Sequence, residues 1–100
     1  MSRASLDILD EAVDEARAAY RWYLSRSPSA GTRFLEELDR AVEAVTDAPE
    51  RWPVHVHGTR RYLLQRFPYS LVYTVMAGNV LGMAVVHASR RPAYWRDRVP

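Results

Sequence analysis

The spacing of hydrophobic positions changes along the chain and divides it into elements. Leu6 and Ile8 flank Asp7 in an alternation long enough for a brief β-strand. From Glu11 the period becomes helical. Ala12, Ala16, Ala19, Tyr20 and Tyr23 fall on one face, with Asp14, Glu15, Arg17 and Arg21 between them. Asp10 stands where an N-cap is expected, and acids fill the first turn, where the helix dipole favours them. Ser27-Pro28-Ser29 stops this helix and Gly31 completes a short connection. Phe34, Leu35, Leu38, Ala41, Val42 and Val45 then form a second apolar stripe, closed by Pro49. Two helices joined so closely pack as an antiparallel hairpin. Beyond a proline-punctuated loop, Pro49 to Thr59, three runs read as strands: RRYLLQRF, bounded by Pro68, then YSLVYTVM and VLGMAVVHA. Gly78-Asn79 predicts a tight hairpin between the last two. The predicted fold is α+β, ordered β-α-α-β-β-β, a helical hairpin packed on a small antiparallel meander sheet. Residues 1–100 are expected to form one domain.

Composition narrows the chemistry. Without cysteine there is no disulfide, no thiolate nucleophile and no cysteine-based metal site. The opening MSRASLDILDEAV lacks the apolar core of a signal peptide. The most apolar stretch, Leu71 to Val86, is interrupted by Tyr73, Thr74, Gly78 and Asn79, and is shorter than the roughly 20 residues a spanning helix needs. A cytoplasmic protein with no membrane partner is expected. The net charge of +2 conceals a polarised chain. Residues 1–50 carry six arginines against eleven acids, and residues 51–100 carry eight arginines against Asp97 alone. Lysine is absent, so every basic residue is arginine. Such asymmetry suggests an anionic partner for the second half.

Apart from Arg51, the cations of that half come in two groups. Arg60 and Arg61 are adjacent on a strand and point to opposite faces, Arg61 with Leu63, Gln65 and Phe67, and Arg60 with Tyr62, Leu64 and Arg66. The C-terminal segment HASRRPAYWRDR adds Arg90, Arg91, Arg96 and Arg98. If the sheet brings the second and fourth strands near each other, guanidinium groups of the two sets meet. Folding gains nothing from gathering like charges, whereas a docked phosphate or acidic segment does. The expected anion- or target-binding set is therefore Arg60, Arg61, Arg66, Arg90, Arg91 and Arg96. Plainer roles are expected elsewhere. Tyr94 and Trp95 fold back over the sheet, Trp52 plugs the bottom of the helical hairpin, and the helical acids form a solvated surface. His55-x-His57 with His87 has no accompanying acid and no recognised metal-ligand spacing, so no metal or other cofactor is expected. Glycine-rich phosphate loops and serine-nucleophile motifs are missing, and no acid is placed beside Ser89 to orient His87.

EAVDEARAAYRWY, FLEELDRAVEAV, DAPERWP, RFPYSLVYTV and VVHASRRPAYWRDR, in this order, resemble the RelE/ParE superfamily of toxins from type II toxin–antitoxin modules, also labelled plasmid stabilisation proteins. The likeness spans nearly the whole chain and is nearer the ParE-labelled branch. It implies the same β-α-α-β-β-β fold and a protein that harms its own cell unless a cognate antitoxin binds it in a toxin–antitoxin hetero-oligomer. The ParE-like branch implies inhibition of DNA gyrase by binding. The RelE-like branch implies ribosome-dependent cleavage of mRNA, and a third possibility is an inactive member that only binds antitoxin. Under the RelE-like alternative, Arg61 (or Arg60), His87, Arg90 and Tyr94 stand by position in the phosphate and proton-transfer roles. The lysines of that branch are absent, and arginine, always protonated, makes a poor base.

Overall fold

In a computed structural model of the chain, residues 4–100 are described. The two helices, α1 (Asp10–Arg26) and α2 (Pro28–Asp47), are joined by a single residue. Ser27 ends α1, its N–H donating to the Tyr23 carbonyl, and starts α2, its hydroxyl accepting the Ala30 N–H at 3.2 Å. Pro28 fits the first position of α2 because its missing N–H would have had no helical partner there. Gly31 thus lies inside α2 rather than in a connection. A Cβ at Gly31 would come within 3.2 Å of the Leu24 Cα, so glycine lets the hairpin close. The N-cap of α1 is Leu9, without a side-chain bond. Asp10 is the first helical residue and serves through its charge near the dipole instead of as a cap.

The sheet comprises β1 (Leu6–Ile8), β2 (Arg60–Leu63), β3 (Tyr69–Met76) and β4 (Asn79–His87), in the order β1-β4-β3-β2. The last three form the expected antiparallel meander, and β1 adds a parallel edge to β4, which makes the sheet mixed. The hairpin turn sits one residue earlier than Gly78-Asn79 suggests. Ala77 (φ 51°) and Gly78 (φ 79°) make the two-residue left-handed turn, and Asn79 already pairs with Met76. The core sets this register. Val75 opposes the buried Val80, and a one-residue slip would turn every β4 side chain to the other face.

RRYLLQRF delivers only four strand residues. The Leu64 N–H donates to the Tyr69 carbonyl at 2.9 Å, which closes a turn over residues 65–68. Phe67 swings back against Tyr23 and Phe34, with ring centroids 4.8 and 5.3 Å away, so it does not share the face of Arg61. Both sheet faces are covered, unequally. The helices pack on one through Ala19, Phe34, Ala41, Val45, Leu71, Tyr73, Val80 and Val85. On the other, a smaller cluster of Val72, Met83 and Ala84 is roofed by Trp95 from the C-terminal segment. Among the described residues no helix is long and apolar enough to cross a membrane.

Two helical acids depart from the expected solvated surface. Glu37 is only 7% exposed and accepts the Arg66 N–H with both oxygens, at 3.1 and 3.2 Å, capping the turn after β2. The other is Glu15, which pairs with Arg98 at 3.0 Å. Tyr73 is fully buried, its hydroxyl donating to the Pro49 carbonyl at 2.6 Å, and burial pushes its pKa up to about 12 from 10.0. Burial raises Tyr23 and Tyr69 as well. Because Tyr73 ionises later when folded, its contribution is complete below the unfolded value near 10 and is lost as pH climbs towards about 12. Denaturant midpoints should stay level up to about pH 10 and fall above it, and Tyr73→Phe should flatten that fall.

Candidate functional site

The sheet face away from the helices is only half roofed. Beside Trp95 lies a groove of about 400 Å³, floored by Ser70 and Val72 of β3 and Val86 of β4. Arg61 borders it from β2, directly opposite Val72 in register. Arg90 and Arg91 border it from the turn that follows β4. All three side chains are exposed. The second and fourth strands are not neighbours, as β3 runs between them. Two strand spacings amount to about 10 Å, so the guanidinium groups flank a trough instead of crowding together. That arrangement suits a ligand with more than one separated negative charge.

The chain's three histidines, His55, His57 and His87, line the same groove. His55 and His57 stand 6.0 and 6.2 Å from the Trp95 ring. Burial lowers the pKa of His55, with further lowering from the Arg61 charge and from His57. His87 ends β4, its ring 5.0 Å from that of Tyr69. The Ser89 N–H donates to its Nδ1 at 3.0 Å, and the Ser89 hydroxyl lies 2.8 Å from the same nitrogen. Nδ1 is therefore the acceptor, and the proton of the neutral ring sits on Nε2. Among the described residues no group of three histidine or carboxylate side chains is arranged to hold a metal.

A proton gained by His55 adds positive charge to a trough already bordered by three arginines. Because burial and the neighbouring charges lower its pKa, affinity for a polyanion such as heparin should rise only as pH falls below the ordinary histidine value of about 6.5. Isothermal titration at matched ionic strength measures this, and His55→Ala should reduce the slope.

The remaining arginines of the expected set lie elsewhere. Arg60 points to the opposite side of β2, where its guanidinium donates to the Glu50 and Trp52 carbonyls at 3.1 and 2.7 Å. It fixes that loop and does not join Arg61. Arg66 is exposed in the turn between β2 and β3, and Arg96 is exposed on the final 3₁₀ turn, and neither lines the groove. Tyr94 packs beneath the groove's rim. Its hydroxyl donates to Glu15 at 2.5 Å, and burial and that bond together push its pKa well up.

Glu15 and Arg98 were not singled out by the sequence. Glu15 accepts hydrogen bonds from the Val85 N–H at 3.0 Å, from Tyr94, and from both terminal nitrogens of Arg98 at 3.0 and 3.1 Å. A signal was present, since Glu15 falls between Ala12 and Ala19 at helical spacing, on the buried stripe. Glu37 occupies the equivalent place between Phe34 and Ala41. Glu15–Arg98 is the only ion pair among the described residues. Arg61, Arg90 and Arg91 thus have no carboxylate within 4.0 Å.

Two helices on one face of a four-stranded mixed sheet, with an arginine-bordered trough on the other, define a small α+β domain. The chain belongs to the family described as "ParE toxin of type II toxin-antitoxin system, parDE", whose model matches residues 6–92. A solved structure titled "Chromosomal ParDE TA system from P. aeruginosa" contains a chain of similar fold. The TM-score is 0.75 over 86% of this chain and 97% of that one, at 19% identity. No curated protein matches the sequence.

Proposed function

We propose that this protein is the toxin of a type II module, acting in the cytoplasm, and that it arrests growth by binding DNA gyrase through the Arg61, Arg90 and Arg91 trough. A cognate antitoxin, disordered until bound, would neutralise it in a hetero-oligomer, its acidic residues meeting the same arginines. The observation that supports this most is the trough itself, three exposed guanidinium groups on one face with no internal carboxylate. Membership of the ParE family points the same way.

Cleavage of RNA has less support. A metal-free cleavage site needs a base and a proton donor beside the phosphate. Arginine stays protonated, and the Tyr94 hydroxyl is already given to Glu15, with its pKa raised. His87 offers one outward Nε2 with no carboxylate to orient the ring. Purified protein added to gyrase and relaxed plasmid should block supercoiling, and induction in cells should raise the DNA-damage response with transcripts intact. Unimpeded supercoiling at excess protein, or cleaved transcripts, would overturn the proposal.

A further inference from the structure

Glu15 lies on α1, and its hydrogen-bond partner Tyr94 is also the ring on which Arg90 stacks. A carboxylate has about four acceptor sites. Those of Glu15 receive the Val85 N–H, the Tyr94 hydroxyl and two N–H groups of Arg98, so none is left over. Arg98 is further fixed by its bond to the Met83 carbonyl at 3.1 Å. Arg90 meanwhile sits over the face of the Tyr94 ring, 3.9 Å from its centroid. That contact holds a guanidinium in place without neutralising it. Glu15 and Arg90 also border one common groove, of about 570 Å³, between α1 and the end of β4. A Glu15 relieved of its partners would thus be an ion-pair partner within reach of Arg90.

We propose that Arg98 and Tyr94 saturate Glu15 so that Arg90 remains stacked on Tyr94 with its charge available to the target. Glu15, Tyr94 and Arg98 are then positioning residues for Arg90. The inference rests on the reading that Arg90 faces the target, and its geometric half stands apart from that reading.

Proton NMR of the full chain reads that half directly. Side-chain protons of Arg90 above an aromatic face resonate upfield, and Tyr94→Leu should abolish the displacement. Arg98→Met, which keeps an aliphatic stem, should move the Arg90 protons towards their unstacked positions as Arg90 turns to Glu15. Growth inhibition should weaken about tenfold with it. Adding Glu15→Gln to Arg98→Met should restore both, because a neutral amide does not capture a guanidinium. A merely structural role predicts the reverse, a double variant weaker than either single one. Tyr94→Phe, which keeps the ring and frees one acceptor of Glu15, gives a milder version should Arg98→Met not fold. Unchanged Arg90 shifts in Arg98→Met and Tyr94→Phe, or no recovery in the double variant, would overturn the inference. If the wild type does not inhibit growth at all, the functional reading fails while the Arg90 shifts still decide the positioning.

Discussion

Trp95→Ala is expected to destabilise the fold by about 3–5 kcal/mol, more than any other single substitution in the C-terminal segment. The indole is 2% exposed and packs on Val72, Met83 and Ala84, so its removal opens a cavity against the sheet. That cavity cannot close by collapse, because one wall is β3–β4 backbone at the centre of the sheet. The loss spreads along the chain as well. Tyr94 and Arg98, on either side of Trp95, tie the same segment to Glu15. Urea unfolding should show the lowered midpoint, and Trp95→Phe should recover most of it. A loss below about 1 kcal/mol would mean that the segment is a solvated appendage.

Arg61→Ala combined with Arg90→Ala should weaken growth inhibition at least a hundredfold, on the order of 1.4 kcal/mol or more for each interfacial charge removed. Neither side chain makes an internal ion pair, so the loss of stability should not exceed that of the Arg90–Tyr94 stacking, about 0.5–1 kcal/mol. The control is charge-matched. Arg21→Ala with Arg40→Ala removes the same two charges from exposed helical positions and should cost less than about threefold. Equal losses from the two pairs would make net charge, and not the trough, the operative quantity.

Much of this was legible from spacing alone. The stripe of Phe34, Ala41 and Val45 is fully buried as its period requires, and the meander order follows from the turn residues. Boundaries were less so. RRYLLQRF reads as one strand because its hydrophobicity is continuous, yet an aromatic cluster pulls Phe67 back to the helices and ends the strand at Leu63. The turn moved by one residue because register is set by what lies across the sheet, which a local dipeptide does not encode.

That some arginines of the second half would share one face was legible, but not which of them. Sequence places Arg60 and Arg61 on opposite faces but does not say which face lies open. The answer came from Trp52 and Glu50, whose carbonyls take Arg60 away. The partnership of Glu15 with Arg98 spans 83 residues, and no local pattern reveals it. Only the acid's place on an otherwise apolar stripe hinted that it was buried for a reason.

The role of the trough is tested most directly by arginine-selective labelling of the toxin and titration with the gyrase subunits. Side-chain signals of Arg61, Arg90 and Arg91 should broaden or shift together, with those of Arg17, Arg21 and Arg40 unmoved. Binding that perturbs only the helical arginines, or leaves all six unchanged, would contradict it.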